Sequence, residues 1–138
     1  MQDLLKQIRL LDYGRTGNTL SDADIDEAQL ELSECDLPQL PQEAVDFLKV
    51  YNGFSAEGRT VFGIDTKKHF FYDIIGENLN AELENASDML LLGESEVVWI
   101  AWVLSKNSYA IVDKESKMVL HKLDSFANAV RYILQIDD

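Results

Sequence analysis

Three apolar runs in the second half of this 138-residue chain constrain its fold more than any other feature. Val97-Val98-Trp99-Ile100-Ala101-Trp102-Val103-Leu104 is long, β-branched and aromatic. Ser105-Lys106-Asn107-Ser108 has turn composition, and Tyr109-Ala110-Ile111-Val112-Asp113 reads as the return strand. A second turn, Lys114-Glu115-Ser116-Lys117, leads into Met118-Val119-Leu120-His121-Lys122-Leu123. Connections this short join antiparallel neighbours, because a parallel return needs a crossover of a dozen or more residues. An antiparallel meander is therefore predicted. Trp99 and Trp102 are an odd number apart, so an unbroken strand points them to opposite faces. One can be core; the other is exposed, covered by a helix, or part of an interface. In the last strand alternation puts Met118, Leu120 and Lys122 on one face and Val119, His121 and Leu123 on the other.

The first half reads mainly as helices. Leu4, Leu5, Ile8 and Leu11 mark an amphipathic helix ending before a Gly-rich connector at 14–18. Ser21 and Asp24 have the spacing of a capping box, and Leu20 with Ile25 that of a hydrophobic staple. Ile25, Ala28 and Leu32 then form a thin stripe, so this second helix lies on the surface with its acids outward. Pro41 suits the first position of a third helix, whose Ala44, Phe47, Leu48 and Tyr51 share one face. Asn52-Gly53 tolerates the positive φ that ends it. Val61-Phe62-Gly63-Ile64 reads as the first short strand, and Phe70-Phe71-Tyr72 as a possible second. A short helix is expected from Glu77 to Asn85, carrying Leu79 and Leu83. Met89-Leu90-Leu91-Leu92 before Gly93 reads as a buried strand. Asp124 or Ser125 caps a last helix with Phe126, Val130, Ile133 and Leu134 on one face. The order implies one α+β domain over 1–138: a mostly antiparallel sheet with helices packed on one side, N-terminal helices and a closing C-terminal helix.

Charge narrows the partners. Lys plus Arg is 12 and Asp plus Glu 25, a net −13. Such a field repels nucleic acid and anionic membrane and speeds encounter with a basic partner. Placement is uneven: nine acids and no Lys or Arg lie between Thr16 and Leu48. Seven more acids lie between His69 and Ser105, again without Lys or Arg. No apolar run is long enough to span a membrane, and the N-terminus lacks the basic-then-apolar order of a signal peptide. With a single cysteine no internal disulfide can form. The expected location is cytoplasmic.

No catalytic pattern appears. Asp22, Asp24 and Asp26 alternate as in an EF-hand, but that loop needs Gly and Glu where Glu27 and Ser33 stand. Cys35, His69 and His121 have no metal-ligand spacing, and His121 is expected to be partly buried or at a sheet edge. There is no G-x-S-x-G, H-E-x-x-H or G-x-G-x-x-G, and the Gly-rich connector is no phosphate loop. No metal, no cofactor and no enzymatic activity are expected.

Taken together, several of these segments resemble the SUKH superfamily, the Smi/Knr-type domains. The matching pieces are Ser21 with Ile25, Leu40-Pro41, Phe47-Leu48-x-x-Tyr51-Asn52-Gly53-Phe54, Phe62-Gly63-Ile64 and Leu92-Gly93. Tyr109-Ala110-Ile111-Val112-Asp113 and Ser125-Phe126 also fit, so the likeness covers about 20–135. Phe62-Gly63-Ile64, following the Asn-Gly-Phe step with Glu57-Gly58-Arg59 between, is similar to the YrhA-like branch. The resemblance implies a non-enzymatic binding domain, in many bacterial members an immunity protein that neutralises a cognate toxin, often a nuclease. The implied mechanism is occlusion of a basic cleft by an acidic protein, as a monomer or homodimer, without direct nucleic-acid or membrane binding. The family carries no fixed partner-binding motif. Charge alone nominates Asp22, Asp24, Asp26, Glu27 and Glu31, with Glu94 and Glu96 beside Trp99. The alternative is a small-molecule-binding or scaffold role using a groove near Tyr51-Phe54.

Overall fold

The predicted meander is present and extends into a larger sheet. In the computed structural model, which describes residues 1–9, 19–66 and 72–136, six strands lie side by side in sequence order, all antiparallel. They are β1 (Phe54–Ala56), β2 (Arg59–Val61), β3 (Met89–Glu94), β4 (Val98–Val103), β5 (Ser108–Asp113) and β6 (Val119–Leu123). The helices are α1 (Gln2–Arg9), α2 (Asp22–Glu34), α3 (Gln42–Val50), α4 (Ile74–Ala81) and α5 (Phe126–Leu134). This is the expected α+β architecture with a closing C-terminal helix. Leu11, the connector at 14–18, Lys67, Lys68, His69, Phe70 and Phe71 lie outside the described residues.

Several boundaries differ from the sequence reading. The sheet does not begin at Val61: a hairpin, β1–β2, precedes it, with Ala56 opposite Arg59. Its two-residue turn, Glu57-Gly58, has positive φ at both positions, 51° and 80°. That matches the right-handed twist of the flanking strands. Phe62-Gly63-Ile64 is not a regular strand: Phe62 donates to the Leu92 carbonyl at 2.8 Å, and Gly63 then forms an isolated parallel bridge to Asp73. The expected 77–85 helix starts earlier, at Ile74, because Asp73 caps it by accepting from the Gly76 N–H at 3.1 Å. Its buried residues are Ile74, Ile75 and Asn78, whereas Leu79 is exposed. Pro41 is the residue before α3, with extended ψ of 155°, rather than its first helical residue.

The capping box of α2 forms as expected, Ser21 Oγ accepting from the Asp24 N–H and Asp24 Oδ2 from the Ser21 N–H. Ile25, Ala28 and Leu32 are buried. Helices α3 and α5 share one face of the sheet. The Phe47 ring meets Phe126 at 5.4 Å, and Phe126 meets Tyr109 of β5 at 5.8 Å. Glu43 ties three elements together, accepting from the Tyr109 hydroxyl and from the Phe126 N–H at 3.3 Å each. Burial, and then the Glu43 carboxylate, push the Tyr109 phenol well above its ordinary range. Helix α1 joins the same side, with Gln7 Oε1 accepting from Arg131 and the Leu5 carbonyl from Tyr51.

Two buried asparagines replace strand neighbours. Only the Gly93-Glu94 end of β3 pairs with β2. Further along, the Asn78 amide takes the place of a strand: Oδ1 accepts from the Leu91 N–H at 2.7 Å and Nδ2 donates to the Leu91 carbonyl at 2.9 Å. Nδ2 also donates to the Ile74 carbonyl at 2.7 Å. Asn52 does the same for Ile64, accepting at 2.7 Å and donating at 2.9 Å. Both side chains satisfy backbone groups that burial would otherwise leave unpaired.

At the far edge, β6 departs from simple alternation. Ile111 faces His121 while Val112 faces Val119, so Leu120 is an extra residue in a bulge. Val119 and His121 therefore pair with residues on opposite faces of β5, contrary to the expected shared face. His121 is exposed on this edge strand, with Met118, Val119 and Leu120 exposed around it.

Candidate functional site

An α-helix brings residues three and seven apart onto one face, and in α2 those residues are Asp24, Glu27 and Glu31. They line one wall of a cleft of about 400 Å³. The other wall comes from Ile64-Asp65-Thr66, just after β2, and from Asp73 and Ile75 at the start of α4. Five carboxylates thus converge, three from the nominated set and two that sequence reasoning missed. Asp73 carried a local signal, an acid preceding a helix, but its approach to α2 is set by long-range packing. Asp65 carried none. Within that second wall, Asp73 Oδ1 accepts from the Asp65 N–H at 3.0 Å, fixing the loop after β2 against the start of α4. Ala28 lies at the cleft between the helix acids.

The remaining nominated residues are placed differently. Asp22 is turned to α3, where Lys49 Nζ lies 2.6 Å from its Oδ1. The Lys49 hydrogen bond and charge hold the Asp22 carboxyl below its ordinary range, and Asp22 does the reverse for Lys49. Asp24 spends one oxygen on its own helix cap. Asp26 is exposed on α2. Glu94 and Trp99 sit opposite one another across β3 and β4. Lys114 bonds Glu94 Oε1 at 2.9 Å and lies 5.9 Å from the Trp99 ring centre. Glu94 is therefore paired with a cation that also lies near the Trp99 ring. Glu96 is exposed in the β3–β4 turn. The two tryptophans do point to opposite faces: Trp102 is paired with Tyr109, their rings 5.0 Å apart. Both are half-buried.

Glu77 of α4 faces the Glu94–Lys114 pair. Burial raises its pKa, the Glu94 charge adds to that, and Lys114 opposes both. A carboxyl raised on folding weakens the folded state while ionised, and that penalty is relieved as pH falls through the folded value. Glu77→Gln should accordingly be as stable as the parent chain or slightly more stable at pH 7. The difference should close near pH 4, and thermal unfolding at the two pH values measures it. A variant less stable at pH 7 would show that Lys114, not burial, governs the site.

Tyr51, Asn52 and Phe54, near the expected small-molecule groove, are engaged in packing. Tyr51 rings against Phe47 and Phe54, and Asn52 and Phe54 are buried. The acidic cleft is lined by other residues. Among the described residues no group of His, Cys, Asp and Glu is arranged to hold a metal ion. Among them, too, no helix is long and apolar enough to cross a membrane. No family model matches the chain, and no curated protein matches it.

Proposed function

We propose that this chain is a non-enzymatic, cytoplasmic binding domain that neutralises a basic protein toxin, of the nuclease class, by seating the toxin's cationic cleft on the α2 groove. One observation carries the reading: Asp24, Glu27 and Glu31 meet Asp65 and Asp73 around a single cleft. A nuclease binds a polyanion through Lys and Arg, and a rigid set of carboxylates competes for those same groups. The resemblance to immunity proteins of the SUKH superfamily supports the same reading, as does a net charge of −13. Glu27 and Glu31 are like charges one helical turn apart, an arrangement that weakens an isolated helix by a few tenths of a kcal/mol, roughly. Such a like-charge pair on an exposed face fits a binding role better than a structural one.

Steering by exposed charges acts mainly on association rate and is screened by salt. The double variant Glu27→Gln/Glu31→Gln removes two charges without touching the helix cap. It should slow association with the toxin encoded beside this chain by about tenfold at low salt and far less at 0.5 M salt, roughly where screening is short-ranged. Stopped-flow or surface-plasmon kinetics measure this. An unchanged on-rate would exclude the groove as the docking surface. Failure of the unaltered chain to co-purify with that toxin, or to protect cells that express it, would exclude the function.

A further inference from the structure

A second cavity has the opposite electrostatic character. It measures about 750 Å³ and lies between α5 and the sheet edge formed by β2 and the β3–β4 turn. Arg59 and Arg131 both line it, and no Asp or Glu does among the described residues. In a chain with 25 acids and 12 bases, that exclusion of carboxylates is the notable fact. The volume falls in the range of small-molecule sites, roughly 300–1,000 Å³.

The lining has two chemical halves. Val98 and Ile133 form a buried apolar part, extended by the exposed Val97. Around it stand hydrogen-bond donors. Arg59 spends Nη2 on Gln135 Oε1 at 2.9 Å, which fixes the guanidinium against the end of α5. A guanidinium has five N–H donors, so this bond orients the group without consuming it. Ser95 Oγ accepts from the Val97 and Val98 N–H groups at 3.3 and 3.2 Å. Both of its lone pairs are then used, and its O–H is left as a donor. Asn128 and Tyr132, each with a polar group, also line it. Arg131 also lines a neighbouring cleft with Met1, Asp3, Lys6 and Gln7, where bases and one acid are mixed.

We infer that this cavity binds a small organic anion, with an apolar body against Val98 and Ile133 and a carboxylate, sulfonate or phosphate head at Arg59 and Arg131. Arginine forks match such heads with paired N–H donors, whereas an isolated apolar body has no need of them. The site is independent of the acidic groove and does not rest on toxin binding.

The probe is 8-anilinonaphthalene-1-sulfonate, an aromatic body with one sulfonate, titrated by fluorescence against the folded full chain. N-phenyl-1-naphthylamine, which lacks the sulfonate, is the neutral comparison. Wild type should bind the sulfonate in the micromolar range and at least about tenfold more tightly than the neutral compound, as roughly expected of a charge-assisted contact. Arg59→Gln should lose about tenfold in sulfonate affinity and little for the amine, and Arg59→Lys should restore part of it. Asn128→Asp puts a carboxylate at the rim without removing a buried contact and should weaken the sulfonate alone. Equal binding of the two compounds, or Arg59 and Asn128 variants that bind the sulfonate like wild type, would overturn the proposal.

Discussion

Replacing Asn78 by Leu should cost about 3–5 kcal/mol of folding stability, because both buried backbone groups of Leu91 lose their partner at once. The side chain is 3% exposed and serves the Leu91 N–H, the Leu91 carbonyl and the Ile74 carbonyl. Leu has as many side-chain heavy atoms as Asn but is bulkier and offers neither donor nor acceptor, so the hydrogen bonds vanish and overpacking adds to the loss. In a chain of this size the thermal midpoint should fall by roughly 10 °C or more. Asn78→Asp is the informative companion. It keeps an acceptor for the Leu91 N–H but loses both donors and buries a charge beside two carbonyls, so at pH 7 it should be no better than Leu. Urea unfolding followed by circular dichroism reads both. A loss under about 1 kcal/mol for Leu would show that Leu91 finds another partner, and that the clamp is not what closes this edge of β3.

The second large effect is expected at Gly63. A Cβ built there would stand 2.7 Å from both the Asn52 carbonyl oxygen and its Oδ1. The backbone cannot slide away, since the Gly63 N–H bonds Tyr72 O and its carbonyl accepts from Ile74, both at 2.9 Å. Gly63→Ala should therefore cost about 2–4 kcal/mol, through steric displacement of the Asn52 clamp on Ile64. Gly76 provides the contrast. Its added Cβ meets nothing closer than Asp73 Oδ2 at 3.8 Å, and it lies inside α4. Gly76→Ala should gain about 0.5–1 kcal/mol from helix propensity. If both alanine variants moved stability in the same direction, close approach at Gly63 would not be the reason that glycine is there.

These two sites show where sequence reasoning stopped. The strands of the meander were legible because their period and turn composition are local, and so were the α2 cap and the α5 face. The 52–53 step reads as a helix stop, but α3 already ends at Val50 with Tyr51 extended, and Gly53, with a positive φ of 74°, turns the chain two residues further on. What was illegible is that Asn52 turns inward to bond Ile64, twelve residues away, since nothing local distinguishes a clamp from a terminator. The β1–β2 hairpin was missed although Glu57-Gly58 is a two-residue turn, because strands of three residues carry too little pattern. Alternation failed at Leu120 for a related reason: a bulge leaves no mark in composition. The two proposed surfaces divide the same way. Asp24, Glu27 and Glu31 follow from helical spacing, whereas Asp65 joins them only through the tertiary path of the chain. Arg59 and Arg131 are 72 positions apart and line one cavity only because α5 packs against β2.

The bulged β6 edge also bears on how this protein behaves in quantity. A sheet can grow in one dimension by recruiting strands from other copies, and an exposed edge bearing Met118, Val119 and Leu120 is the natural place for growth to start. Here the edge is five residues long, it is broken in register at Leu120, and it carries Lys122 with Lys117 just before it. An incoming straight strand would pair on one side of the bulge and lose register on the other. The same break that spoils a regular side-chain pattern thus acts as a terminator of polymerisation, and it keeps a hydrophobic margin compatible with a concentrated solution.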